Sequence, residues 1–310
     1  MSQDTDEDTW PTVAVVIATR DRPELLRQAL AAVSAQDYPG HVETVVVYDR
    51  SEPDTTLATA GVRPVRVLTN SRSPGLAGSR NTGVLATSSD LVAFCDDDDA
   101  WWPARLRTQV EALRRTSCPL ALVTTGIRVV YGGREVVRRL EKDLVSRADL
   151  LRSRLTELHP STFLLHRELL DEIGLVDEEL PGSYAEDYDL LLRAAASALV
   201  VNVREPLVDV RWHPQSYFAG RWEVIADALD VLLRKHPDFR TDPAGEARIR
   251  GQRAFALAAA GRRKAALEEA VRTVRLHAAE RRAYLAVLAA AGLVDPDWLL
   301  RRLNARGRSL

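Results

Sequence analysis

Apolar positions fall along the chain in two rhythms. Residues 13–18 (VAVVIA), 43–49 (ETVVVYD), 64–69 (PVRVLT) and 90–96 (DLVAFCD) are short apolar runs rich in β-branched residues, the pattern of strands buried on both faces. Between the first two, Leu25, Leu26, Ala29, Leu30 and Val33 recur at helical spacing behind Pro23, a residue suited to a first helical turn. Residues 73–88 run from a glycine-containing loop into a second helical stretch, and residues 103–115 form a third. Strands alternating with helices predict right-handed βαβ units and a doubly wound α/β layer. Ligands of such sheets bind beyond the carboxyl ends of the strands, where Asp49 and the run Asp96, Asp97, Asp98, Asp99 stand.

After residue 118 the rhythm changes. A strand and a hairpin around Gly132 and Gly133 are followed by a strand at 161–166 and a helix closed by Gly174. Residues 181–197 begin polar and become helical, and residues 200–213 are extended. From about residue 221 onward everything reads as helix, and residues 248–292 resemble two helical hairpins of the tetratricopeptide kind. Two such units are too few for a free solenoid, so they are expected to pack on the main domain. The organisation expected is a disordered tail at 1–11, a main domain at 12–220 and a helical region at 221–310. The fold class is a mixed α/β sheet flanked by helices, with a small all-α extension.

Composition narrows the chemistry. With 46% hydrophobic and 28% charged residues over 310 positions the chain has a globular balance, and a net charge of −2 gives no nucleic-acid signature. Cys95 and Cys118 have no metal-type spacing and read as small core residues in a reducing compartment. The acidic N-terminus is not a targeting signal, and the longest apolar run, 283–294, falls short of the roughly 18 residues that span a bilayer. The expectation is a cytoplasmic protein without a transmembrane segment, for which peripheral membrane association through the Arg-rich helices stays open.

The acidic run FCDDDDAWWP carries the chemistry. Adjacent carboxylates repel, and burying them is costly unless something offsets the charge. Hard divalent cations do so, typically with one or two carboxylates and substrate phosphates. On an extended segment Asp96 and Asp98 would face one way, Asp97 and Asp99 the other. A calcium-binding EF-hand loop starting at Asp96 is excluded, since Trp101 and Arg107 stand where glycine and glutamate are needed.

Several segments together resemble the family 2 inverting glycosyltransferases of GT-A fold over residues 12–217. They are VAVVIATRDRPELLRQALAAVSAQDYP, VVVYDRSEPD, SPGLAGSRNTGVLATSSDLVAFCDDDDAWWPARL and YAEDYDLLLR followed by VRWHPQS. The resemblance implies a nucleoside-diphosphate-sugar donor, a hydroxyl acceptor and Mn²⁺ or Mg²⁺. It also implies that Asp187 is the general base with Glu186 beside it, and that Thr19, Asp49, Arg80, Asp96 and Asp97 contact the donor. Asp98 would hold the metal with His213, and Arg211 would assist. His159 resembles a position on the acceptor side; Trp102 is a candidate for stacking on a sugar, with Trp101 in the core.

Ala18, Arg20, Asp21, Tyr48 and Arg50 depart from the usual family residues, which leaves uridine, guanosine and thymidine donors all open. A sugar nucleotidyltransferase would need a glycine-rich loop after the first strand, and ATRDRPELL has none. A non-catalytic scaffold using the helical tail remains the alternative. The retention of Asp187 beside the acidic run speaks against it.

Overall fold

The computed structural model describes residues 9–116, 118–212 and 220–304. The first half contains β1 (Val13–Thr19), α1 (Pro23–Ser34), β2 (Val42–Tyr48), β3 (Val65–Thr69), α2 (Leu76–Leu85), β4 (Leu91–Asp96), β5 (Ala100–Trp101) and α3 (Arg105–Arg114). Next come β6 (Ala121–Tyr131), β7 (Arg134–Arg138), β8 (Leu144–Val145), α4 (Arg147–Arg152), β9 (Leu164–His166), α5 (Arg167–Ile173), α6 (Glu186–Ser197) and β10 (Leu199–Arg211). The helical region is α7 (Trp222–Lys235), α8 (Pro243–Ala259), α9 (Arg263–Leu276), α10 (Arg281–Ala290) and α11 (Pro296–Asn304).

One mixed sheet runs β3-β2-β1-β4-β9-β6-β10-β5, with β7 on β6 and β8 on β10. The pairs β3–β2, β2–β1 and β1–β4 are parallel, β9 is antiparallel to both neighbours, and β6–β10 is parallel again. Strand order reverses between β1 and β4, which makes the crevice beyond their carboxyl ends the topological switch point. The β-branched runs explain the layer: every residue of Val13–Ile17 and of Leu91–Cys95 is buried.

The helices at the carboxyl-terminal end belong to the same body. A single apolar cluster runs from Val16, Phe94 and Leu122 through Leu190 and Leu229 to Phe255, Ala270 and Ala286. At the other end Trp10, expected in the tail, is docked. Its ring meets Tyr38 edge-on at 5.2 Å and the Arg114 guanidinium at 4.3 Å, while Tyr38 Oη donates to Pro11 O at 2.6 Å. An aromatic residue with an apolar and cationic seat does not stay in solvent.

Among the described residues no helix is long and apolar enough to cross a membrane. Helix α2 must lie close to β1, and Gly83 is where it does. A Cβ there would sit 2.4 Å from Val16 Cγ1. Gly83→Ala should therefore cost about 1–3 kcal/mol despite the better helix propensity of alanine, read as a lower denaturation midpoint with unchanged slope.

Candidate active site

The four aspartates do not form an extended segment. Strand β4 ends at Asp96, and Asp99 N–H donates back to Asp96 O at 3.2 Å, so the run is a tight turn. The expected alternation of faces is therefore replaced by a different division. Asp97 and Asp98 share one guanidinium: Arg22 Nη1 lies 3.1 Å from Asp97 Oδ1 and 2.8 Å from Asp98 Oδ2. Thr19 Oγ1, at the end of β1, donates to Asp97 at 2.8 Å.

Asp96 and Asp99 turn toward the other side. Arg80 on α2 is 2% exposed and bridges Asp96 at 2.7 Å and Glu186 at 2.6 Å. It ties the end of β4 to the start of α6. Asp99 accepts from Ser161 Oγ at 2.5 Å and from the Arg211 N–H at 3.2 Å, so Arg211 reaches this group through its backbone. His159 Nδ1 lies 3.4 Å from Asp99.

The electrostatics follow from that crowding. Burial raises a carboxyl's proton affinity and a nearby cation lowers it. Burial, with Asp96 and Asp97 close by, pushes the Asp98 carboxyl up to about 7. Burial, with Asp96 and Asp98 close by, holds Asp99 well above the carboxylate range. Asp96 is held low instead, because Arg80, His159 and Arg22 outweigh its burial. Two guanidiniums, Arg22 and Arg80, thus serve three of the four aspartates and leave Asp99 to Ser161, the Arg211 N–H and His159, an arrangement with room for a further cation.

Ligand atoms of Asp96, Asp99 and His159 lie within 4.8 Å of one another. Two carboxylate oxygens and an imidazole nitrogen are a donor set that Mn²⁺ or Mg²⁺ accepts. This differs from the expected grouping of Asp98 with His213: the Asp98 carboxylate is turned to Arg22, and His213 lies outside the described residues.

Across the crevice, α6 presents its first turn. Ala185, immediately before it, has a left-handed φ of 62°, a costly conformation for a residue with a Cβ. It starts the helix so that Glu186, Asp187 and Asp189 fall in the first turn, where the helix dipole favours carboxylates. Asp187 is paired with Arg154 and accepts from the Tyr188 N–H at 2.7 Å. Glu186 is buried, and that burial beside Asp187 pushes its carboxyl up to about 8.

A cavity of about 280 Å³ joins the two walls, lined by Arg80, Asp96, His159, Glu186 and Asp187 and, from α7 and α8, by Leu229, Arg248 and Gln252. The donor-side candidates Thr19, Asp97 and Asp98 sit beside it on the strand ends. Asp49 is buried, and its carboxylate accepts from Asn70 Nδ2 at 2.9 Å and Gly75 N–H at 3.1 Å, so it shapes the glycine loop. Trp102 is not in this lining. It is 37% exposed, donates to Asp209 at 2.8 Å and meets the Arg128 guanidinium at 5.2 Å, which places its indole N–H against β10. Trp101 is buried, with Arg105 stacked 3.6 Å over its ring.

Sequence reasoning missed Arg22, Asp99, Arg154 and Arg248. Their contacts reach across the chain: Arg22 to Asp97 and Asp98, Asp99 to Ser161, Arg154 to Asp187 and Arg248 to Tyr188, and no spacing signals them.

The profile of glycosyl transferase family 2 matches residues 14–174, more than half of the chain. The uncharacterized glycosyltransferase YwdF of Bacillus subtilis is 28% identical over 203 residues, 62% of this chain and 70% of that protein. An uncharacterized glycosyltransferase of Rickettsia bellii is 22% identical over 66% of this chain, a match that spans only 30% of the longer protein. Among solved structures, S. aureus TarS 1–349 in complex with UDP-GlcNAc has a TM-score of 0.65 at 17% identity, covering 96% of this chain and 92% of that one. The mannosyltransferase PcManGT from Pyrobaculum calidifontis, in complex with GDP-Man and Mn²⁺, has a TM-score of 0.53 at 20% identity, covering 96% and 87%. These structures share the GT-A fold with this chain, and the match along its first half identifies it: the chain belongs to glycosyl transferase family 2, and the enzyme is a glycosyltransferase.

Proposed function

We propose that this glycosyltransferase is metal-dependent and inverting, moving a sugar from a nucleoside-diphosphate sugar to an acceptor hydroxyl by direct displacement. The observation that carries this reading is the single cavity lined by both Asp96, at the end of β4, and Asp187, at the start of α6. An acid cluster at the switch point suits a donor diphosphate with its cation. A carboxylate on the facing wall suits the acceptor.

An acceptor hydroxyl is a poor nucleophile, so its proton must pass to a group within hydrogen-bond reach. Asp187 takes that role. Its Oδ1 is oriented by the Tyr188 N–H. Glu186 lies deeper than Asp187 and is enclosed by Arg80, so it is the less accessible of the two to an acceptor hydroxyl. Attack by one hydroxyl, opposite the leaving diphosphate, inverts the anomeric carbon without an enzyme-bound intermediate. Asp96, Asp99 and His159 would hold the divalent cation, with Asp98 on the same turn. When bound, that cation supplies charge neutralisation for the departing diphosphate. Arg22 and Arg80 add two fixed positive charges beside the same oxygens. TarS with UDP-GlcNAc and PcManGT with GDP-Man support the donor class and leave the base open.

Calorimetric titration of UDP, GDP and dTDP tests this, with and without Mn²⁺, on the wild type and on Asp99→Asn, which removes one of the three grouped ligand atoms. One nucleotide should bind, at least about tenfold more tightly with Mn²⁺, as expected when a cation bridges carboxylates and phosphates. The metal increment should shrink in the variant. Absence of any nucleotide binding in either condition would overturn the assignment.

A further inference from the structure

The wall of the cavity facing the strand ends is unusually cationic, and one of its charges is not matched by a carboxylate. Arg80 sits between Asp96 and Glu186, and Arg154 is on Asp187. Arg248, contributed by α8, instead donates to Tyr188 Oη at 2.7 Å and to Arg152 O at 3.3 Å. Among the described residues it meets no acid. Arg154 and Arg248 both lie over the ring of Tyr188, their guanidinium carbons 5.0 and 5.6 Å from its centroid. Arg154 Nη1 is buried without an acceptor among the described residues.

Two guanidiniums sharing one ring repel each other. Each also carries N–H donors in a planar fork that matches an oxyanion. Burial lowers the proton affinity of Arg248, and Arg282 and Arg154 lower it further. A group strained in that direction gains from an anion. Among the described residues of the acceptor side none supplies one, since Asp187 is already held by Arg154.

We infer that the acceptor carries an anionic group, phosphate or carboxylate, next to its reacting hydroxyl, and that Arg248 with Arg154 binds that group. The inference rests on the transferase reading of the same cavity, and it gives the helical region a role in choosing the acceptor. The anion would sit on the Tyr188 side, which directs the neighbouring hydroxyl toward Asp187. Arg154 contributes its unmatched Nη1 and keeps its contact with the base.

The test is ligand-observed NMR titration of glycerol 1-phosphate, glucuronate and glucose into the full chain, with the donor site filled by saturating nucleoside diphosphate and Mn²⁺. At least one anion should bind at concentrations where glucose does not, and the tighter of the two separates phosphate from carboxylate. Arg248→Gln should weaken that anion about 10- to 100-fold, the range for loss of charge-assisted hydrogen bonds. Arg248→Lys, which keeps the charge but not the fork, should recover part of it. Nucleotide affinity, measured on the same samples, should not change, which also shows that the variants are folded.

Anions binding no better than glucose, or equally well to Arg248→Gln, would overturn the inference. Failure of the nucleotide to bind the wild type would instead remove the transferase reading, and the anion arm, repeated without nucleotide, would still decide whether Arg248 binds anions.

Discussion

Asp187→Asn should abolish sugar transfer while nucleoside diphosphate continues to bind. Asparagine keeps the size of the side chain and its acceptor for the Tyr188 N–H, but it has no useful affinity for a proton. Loss of a positioned general base costs about 10²- to 10⁴-fold in turnover. Because Asp187 stands on α6 and the acid turn stands beyond β4, the donor side should be undisturbed. Glu186→Gln is the discriminating control. Glu186 is buried against Arg80 at 2.6 Å, so its neutral replacement removes one partner of a bridging guanidinium and should affect donor binding more than proton transfer. The measurement is the initial rate of nucleoside diphosphate release in the presence of acceptor, with calorimetry of the nucleotide on each variant. Activity retained in Asp187→Asn and lost in Glu186→Gln would move the base to Glu186.

The parallel half of the sheet was legible because its strands are apolar on both faces and its helices are amphipathic. Periodicity places such elements directly. The position of Asp187 was legible for another reason, a resemblance carried by the order of short motifs. What the sequence concealed lies in the third dimension. FCDDDD reads as a strand continuing outward, yet Asp97 and Asp98 turn back to Arg22. Crowded carboxyls gain more from two guanidiniums on different elements than from staying extended.

Arg80 shows the same effect in reverse. From sequence it can equally be a solvated helix residue, and its burial depends on Asp96 and Glu186 arriving from opposite sides. The wall formed by α7 and α8 was hidden as well. Helical hairpins announce their own packing period but not the surface they cover, so nothing in 248–292 placed Arg248 beside the proposed base. The partner of Trp102 was hidden too: its indole N–H meets Asp209 on β10, a residue far along the chain.

Asp189→Asn should destabilise the fold by about 3–5 kcal/mol, the cost of removing one partner from a buried ion pair and leaving the others uncompensated. Asp189 is 0% exposed and lies on α6 just beyond the proposed base. It accepts from Arg193 Nε at 2.8 Å within the helix, and from His236 Nε2 at 2.8 Å and Lys235 Nζ at 3.0 Å at the end of α7. Burial alone would raise its proton affinity. The bond from His236 and the charges of Arg193 and Lys235 outweigh that and hold the carboxyl well below its usual range.

The sign of the pH effect follows. A carboxyl whose proton affinity is depressed on folding contributes stability that is fully present above its unfolded value, about 4. That contribution is lost as pH falls below it toward the folded value. Urea denaturation at pH 7 should therefore show the full gap between wild type and Asp189→Asn, and the gap should narrow through pH 4 to 3. A constant gap would mean that Asp189 acts by packing alone. Since the same contacts fasten α6 to α7, and α7 lines the cavity through Leu229, weakening them should loosen the acceptor wall before the strand-end acids. Sugar transfer in this variant should then decline at lower urea than nucleotide binding does.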